Sequence, residues 1–364
     1  MIRLNNNFNT KMKRINKVLN KRQDAILDFI TKNTSTSISQ IVDYIKKELE
    51  DITRITISRD LEKMLDLNLI QKKGAGRSTY YELSIQYSTI KEIDIEKYFS
   101  VAPDERKIKK SFNFDIFNQL TNILTDSEKQ QLSNLNEIYR SKMEKIPNDA
   151  LKKETERLNI DFSWKSSKIE GNTYDLLETE QLIKNQKQAK GHSQEEASMI
   201  LNHKKTLEYL CQNKKTFESI SIQKIENIHS LLVKDLKVTK GLRKTLVRIT
   251  GTNYTPIDNE FQIREALKRT CALVNKEKNI FEKAILLMLL IAYIQPFVDG
   301  NKRTSRLSGN AILQSLNACP LSYRSMDEIE YKKAILLFYE KNNILYFKKL
   351  FIKQFEFAIK NYFG

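Results

Sequence analysis

Cysteine is scarce in this chain: Cys211, Cys271 and Cys319, odd in number and far apart in 364 residues. That fits neither a disulfide framework nor a zinc site, and the expectation is three ordinary buried thiols. Histidine is equally scarce, at His192, His203 and His229. His203 and His229 lie 26 residues apart with no third ligand at metal-binding spacing, so both read as structural hydrogen-bonders. His192, in a Gly-His-Ser turn, reads as a loop residue. Long apolar runs are missing too: the longest, Ala284 to Ile294, has eleven residues, where a membrane span needs about 20. Met1 to Arg22 carries seven basic residues, no acid and no continuous apolar stretch, which argues against a secretory signal. A soluble, cytoplasmic protein with no membrane contact is expected. Internal repeats and low-complexity tracts are also absent.

What is present is enough apolar material for two or three folded domains, with hydrophobic residues at 40%. The formal charge of +17 invites a nucleic-acid reading, but Lys, Asn and Ile are abundant everywhere, so charge alone decides nothing. Its distribution is more informative. Residues 1–83 hold 16 basic and 10 acidic side chains, a denser positive charge than in the remainder.

Residues 1–20 read as a basic arm. Helices are expected over Arg22 to Lys32, Ser39 to Leu49 and Thr56 to Leu67, the last N-capped near Arg54 to Thr56. Ile57, Leu61, Met64 and Leu65 face inward, which leaves Thr56, Ser58, Arg59 and Lys63 outside. Leu69 to Lys73 and Thr79 to Leu83 read as strands about a Gly74 to Arg77 turn. Three helices and a basic hairpin resemble a winged helix-turn-helix. That resemblance implies DNA as a partner, with the helix from Thr56 in the major groove and Lys72, Lys73 and Arg77 of the wing on phosphate. A winged helix used for homodimer or other protein contacts is the alternative.

Residues 85–155 read as a linker and helical connector, and from Phe114 onward the pattern is mostly helical. Ile280 to Ile294, apolar nearly all round, is the central buried helix. It aims the most informative stretch of the chain, Gln295-Pro-Phe-Val-Asp-Gly-Asn-Lys-Arg-Thr-Ser-Arg306. Gly300 lets the backbone approach a ligand closely, and Asn301 offers an amide. Arg303 and Arg306 lie three apart, and the amides opening the next helix attract an anion. Asp299 offers Mg2+ an oxygen ligand. These features describe a Mg-nucleotide site. Upstream, Ser166 and Glu170 lie four apart on one helical face, ended by Gly171; taken alone, this is a capped helix with a surface Glu. Residues 241–256 break the helical pattern, with Thr245, Leu246, Val247, Arg248 and Ile249 and a Gly251 to Asn253 turn suggesting a short hairpin.

The 295–306 stretch resembles the signature of the Fic (Fido domain) family, His-Pro-Phe-x-Asp-Gly-Asn-Gly-Arg-x-x-Arg, at Pro296, Phe297, Asp299, Gly300, Asn301, Arg303 and Arg306. Gln295 stands where the family has its catalytic His, and Lys302 where most members have Gly, as in the Doc branch. The resemblance covers about residues 160–355. Together with the winged-helix resemblance over roughly 20–84, it implies a mainly α fold: a winged helix-turn-helix (α/β) over 1–84, the connector over 85–155, and an all-α Fic bundle with a β-hairpin flap over 156–364. Ser166, Glu170 and Gly171 resemble the family's inhibitory motif, in which the Glu pairs with the last Arg of the signature, here Arg306. The hairpin resembles the flap that holds a target segment by strand addition, although a hairpin that only covers the core is also consistent.

The activity implied is transfer of AMP from Mg-ATP to a Ser, Thr or Tyr hydroxyl of a protein. Asp299 would hold Mg2+, Asn301 and Arg303 the inner phosphates and Arg306 the outer one. Gln295 cannot take a proton near neutral pH, and general bases contribute roughly 10²- to 10⁴-fold. Three readings therefore stand open. They are a weak or conditional adenylyltransferase, a Doc-like phosphotransferase suggested by Lys302, and a catalytically silent nucleotide sensor with DNA binding as its output.

Overall fold

The computed structural model describes residues 19–33 and 35–363. The expected basic arm, through residue 18, and the side chain of Arg77 lie outside the described residues. The chain parts into two compact units between Glu92 and Ile93.

The first unit contains α1 (Lys21–Lys32), α2 (Ile38–Glu48), α3 (Arg54–Asp66), β1 (Ile70–Lys73), β2 (Tyr80–Leu83) and α4 (Ile85–Ile90). Each of the first three helices opens on a side chain that accepts a free amide. Asn20 and Ser37 form capping boxes with Gln23 and Gln40, and Thr53 accepts from the Thr56 amide, which starts α3 before the expected Thr56. Ile26, Ile30, Ile41, Ile45, Ile57, Leu61 and Met64 meet in one core, closed by Leu69, Ile70 and Tyr81. Buried Asp60 accepts from Gln23 at 2.7 Å and Arg22 at 2.6 Å, which ties α1 to α3. The strands pair antiparallel, Ile70 opposite Leu83 and Lys73 opposite Tyr80. Arg59, Lys63, Lys72 and Lys73 are exposed; Thr56 and Ser58 are half-buried.

The second unit is helical. It comprises α5 (Ile95–Phe99), α6 (Ile116–Gln119), α7 (Asp126–Lys145), α8 (Asn148–Ile169), α9 (Leu176–Asn185), α10 (Gln194–Gln212), α11 (Ile222–Leu232), α12 (Glu260–Lys276), α13 (Ile280–Ile294), α14 (Asn301–Ser315), α15 (Glu328–Lys341) and α16 (Leu345–Tyr362). As its composition requires, α13 is buried from Phe281 to Ile294 and forms the axis. α14 lies closest to it because Gly309 has no side chain: a Cβ there would sit 1.9 Å from the Met288 Cε. The Ser305 hydroxyl, donating to the Met288 carbonyl at 2.6 Å, pins the pair. No helix among the described residues is long and apolar enough to cross a membrane.

The hairpin expected over 241–256 does not form; among the described residues the only ladder is β1 with β2. The segment's exit pairs elsewhere. Thr255 bridges Ser111 in parallel, its amide donating to the Lys110 carbonyl at 2.8 Å, and Tyr254 is buried with its hydroxyl on the Tyr293 carbonyl at 2.9 Å. The entry, Lys244 to Ile249, is irregular and has no strand partner among the described residues.

Candidate functional site

Between α13 and α14 the chain reverses through two left-handed residues, Gln295 at φ 51° and Gly300 at φ 79°. Asn301 shapes the turn. Its carbonyl oxygen accepts from the Phe297 amide and its NH2 donates to the Phe297 carbonyl, both at 2.8 Å. The side-chain amide offered to a ligand on sequence grounds is therefore already occupied inside the loop, and the free donor at this position is the backbone N–H. Gly300, as N-cap, gives α14 no side-chain cap, so the first amides of that helix face an open cleft of about 400 Å³.

Behind the loop stands His229, its ring stacked on Phe297 at 3.7 Å and its Nε2 3.1 Å from the Asp299 carbonyl. Burial pushes its pKa down to about 4, so the ring is neutral and Nε2–H donates. This is the structural role expected. His203 differs: both ring nitrogens lack a partner among the described residues, and the ring packs edge-on against Phe162 at 4.7 Å. Burial, with Arg306 and Arg303 nearby, holds it neutral, and it serves as an aromatic plug rather than a hydrogen-bonder.

The two arginines diverge. Arg303, 2% exposed, donates Nη2 to Asp299 at 3.0 Å, while its Nη1 is buried without a partner among the described residues. Arg306, fully buried, is gripped by α8. Nε donates to the Ser166 hydroxyl at 2.9 Å, Nη2 to the Ser166 carbonyl at 2.8 Å and Nη1 to Glu170 at 2.8 Å. The guanidinium also lies 5.2 Å over the Tyr331 ring. The other Glu170 oxygen takes Lys302 at 3.4 Å. Burial works against the Glu170 charge, but Arg306 and Lys302 outweigh it, and its pKa lies below the ordinary value. Glu170 itself caps α8, and Gly171 leaves the helix at φ 100°, a conformation suited to glycine.

Gln295 lies at the cleft with its Nε2 donating to the Ala292 carbonyl at 2.6 Å and to the Tyr339 hydroxyl at 3.1 Å. Val247 and Ile249 of the 244–250 segment line the same cleft, while Thr245, Leu246 and Arg248 are exposed. Thus Gln295, Asp299, Gly300, Asn301, Lys302, Arg303, Glu170, Gly171, Val247, Arg248 and Ile249 all border one cavity, with Ser166 and Arg306 beside it. Thr56, Ser58, Arg59, Lys63, Lys72 and Lys73 belong to the first unit. Sequence reasoning missed Tyr331 under Arg306, Tyr339 on Gln295, and Arg243, whose Nε donates to the Gln295 carbonyl at 2.6 Å. The only sequence signal for Arg243 is an arginine two residues after Gly241, at the start of the non-helical stretch.

No group of three or more His, Cys, Asp or Glu side chains that could hold a metal occurs among the described residues. The cleft does offer the Asp299 carboxylate, with its side chain 63% exposed. One carboxylate fits an ion such as Mg2+ that arrives on phosphates and keeps its waters, not a resident ion in an all-protein cage.

Residues 219–313 match the model of the Fic/DOC family. The chain is 28% identical over 198 residues to the protein adenylyltransferase Fic of Nematostella vectensis, covering 53% of this chain and 46% of that protein. It is 26% identical over 202 residues to the protein adenylyltransferase fic-1 of Caenorhabditis elegans, covering 54% and 39%. The matches thus span less than half the length of these curated relatives. In fold the chain is similar to Fic-1 (residues 134–508) from C. elegans, with TM-score 0.54 and 22% identity over 65% of this chain and 71% of that one. It is also similar to a Fic-domain signaling protein from Bacteroides thetaiotaomicron, with TM-score 0.55 and 19% identity over 64% and 95%. The signature loop, the helices on either side of it and these likenesses agree: residues 219–313 match the Fic/DOC family, within a fold similar to that of Fic proteins.

Proposed function

We propose that the cleft binds ATP and that the protein transfers AMP from it to a Ser, Thr or Tyr hydroxyl of a protein, with Glu170 as a built-in brake. The observation that carries this reading is the hold on Arg306, a fully buried guanidinium whose donors are taken up by Ser166 and Glu170 beside an anion-ready helix start. The uncapped amides of Asn301 to Arg303 and the unpartnered Arg303 Nη1 suit inner phosphates, and Arg306 suits the outer one once Glu170 leaves. Val298, Ile335 and Leu336 give the cleft an apolar wall that suits a base. Mg2+, carried in on the phosphates and held through Asp299, would supply charge neutralisation. The backbone from Leu246 to Ile249, which belongs to no sheet, suits a target segment added as a strand. Rate would come from positioning and electrostatics, because Gln295 donates its amide and offers no proton acceptor.

Gln295 also favours a second reading, a nucleotide sensor without transfer. The first unit would then carry the output, its exposed Arg59, Lys63, Lys72 and Lys73 suiting duplex DNA read in the winged-helix manner.

The test is Gln295→His, alone and with Glu170→Gly, incubated with lysate and ATP labelled at the α or the γ phosphate. Imidazole titrates near neutrality and is close in length to the Gln side chain, so it supplies the missing acceptor without rebuilding the loop. Label from the α phosphate in protein supports AMP transfer. Label from the γ phosphate would mean that Lys302 turns ATP round and makes the domain a phosphotransferase. A double variant that binds ATP and labels nothing rules out latent transfer and leaves the sensor.

A further inference from the structure

Arg243 is a buried cation that makes no salt bridge to a carboxylate among the described residues. It is 2% exposed, and each arm of its guanidinium donates to a main-chain carbonyl: Nε to Gln295 at 2.6 Å, Nη1 to Thr245 at 2.8 Å, and Nη2 to Ile257. Its own amide donates to the Pro296 carbonyl at 3.0 Å. Burial pushes its pKa down, with Tyr254 and Asp258 acting the other way, and burying a charge is costly, so this geometry needs a structural return. The three carbonyls mark the entry of the 245–257 segment, its exit, and the residue at which α13 turns into the signature loop.

From this geometry we propose that Arg243 is the positioning residue of the transfer site, a clasp that sets the 245–250 segment in fixed register against residue 295. The inference rests on the AMP-transfer reading above. The segment has no strand of its own to pair with, so its alignment depends on its two ends. Arg243 holds both ends against the loop. Arg106 holds the tip, its Nη2 donating to the Gly251 carbonyl at 2.5 Å while its Nη1 meets buried Glu340 at 3.1 Å. Arg243 also accounts for the backbone at Gln295: a non-glycine residue at φ 51° is strained, and the bonds to the 295 and 296 carbonyls hold it there. A target hydroxyl presented by the segment would therefore arrive at one distance from the side chain at 295. An error of about 1 Å in such placement can cost roughly a hundredfold in rate.

The test uses the full chain. Arg243→Lys keeps the stem and the charge but can reach only one of the three carbonyls, and Arg243→Met keeps the bulk alone. In the Glu170→Gly, Gln295→His background, Arg243→Lys should lower kcat for transfer by about tenfold to a hundredfold. The calorimetric Kd for ATP should stay within about twofold, because no phosphate-facing group is touched, and Arg243→Met should be more severe than Arg243→Lys. In the natural chain, Arg243→Lys should speed amide hydrogen exchange at residues 245–250 and at Gln295 while leaving α14 protected. Unchanged kcat with unchanged exchange overturns the clasp. Loss of ATP affinity in step with kcat, or faster exchange throughout the second unit, also overturns it, because Arg243 would then be a general core residue. If the background transfers no label, the transfer reading fails by itself, and the exchange measurement still decides whether the clasp exists.

Discussion

On the proposed reading, Arg306 is the residue for which Glu170 and a nucleotide phosphate compete. Its Nε and Nη1, which a phosphate would need as donors, are given to Ser166 and Glu170, and a charge-assisted bond of this kind is worth about 1.5–3 kcal/mol. Glu170→Gly should therefore tighten Mg-ATP binding by roughly tenfold or more, read by calorimetry. Unchanged affinity and an unchanged bound pose would remove the inhibitory role of the Ser166 to Gly171 stretch. The chain just beyond Glu170 is latched by Glu196, which accepts from the Thr173 hydroxyl at 2.5 Å, the Thr173 amide at 2.9 Å and the Ser193 amide at 3.0 Å. Thr173 first, then the amides of Ser193 and Thr173, lower the Glu196 pKa to about 2 from 4.5. A carboxylate depressed on folding stabilises fully above its unfolded pKa and loses that contribution as pH falls through the folded one. The window is thus about 4.5 down to about 2. Glu196→Gln should lower Tm at neutral pH and flatten the fall of Tm across that window; a parallel fall in both proteins would remove Glu196 from the account.

At the scale of elements, the approach of α14 to α13 depends on Gly309. Gly309→Ala places a methyl against the Met288 side chain, with Cγ at 2.5 Å and Sδ at 2.9 Å from the ideal Cβ. The expected cost is about 1–3 kcal/mol in denaturant unfolding, with partial rescue by Met288→Ala; an undisturbed midpoint would mean that the helices slide apart freely. Much of this architecture is legible in the sequence where the signal is local. The all-apolar run of α13, Gly300 at a turn needing positive φ, and the four-residue spacing of Ser166 and Glu170 each state their structure within one helical turn. The segment 241–256 shows where local signal fails. Its alternating Val247 and Ile249 read as half a hairpin, but the strand partner of its exit is Ser111, 144 residues before Thr255. For the same reason Tyr331 and Tyr339 carry no mark in the sequence, and Arg243 only a nearby glycine. Each acquires its role from a partner far along the chain, and a lone Arg or Tyr in an irregular stretch or on a helix looks ordinary until the tertiary contact exists. Asn301 failed in the opposite sense, its amide turned back on Phe297 only four residues away.

At the scale of the molecule, the first unit has a core of its own, so a fragment ending at Glu92 should fold alone. It should bind duplex DNA with an affinity that falls steeply with salt as counterions are released. Substituting Arg59 should blur sequence preference, and substituting Lys72 and Lys73 should weaken all sequences alike. A folded fragment that ignores DNA even at low salt would make it a protein-contact module. If Glu170 is the brake proposed above, the second unit carries the competitor of ATP for Arg306 in the same chain. When only a fraction of molecules has Arg306 released, the apparent Kd is the intrinsic one divided by that fraction, so a form open about 1% of the time needs roughly a hundredfold more ATP to fill. An intramolecular competitor is never diluted. The occupancy curve would therefore keep its midpoint at any protein concentration, and the strength of the Glu170 to Arg306 ion pair would act as a set point for the ATP level at which the site begins to respond.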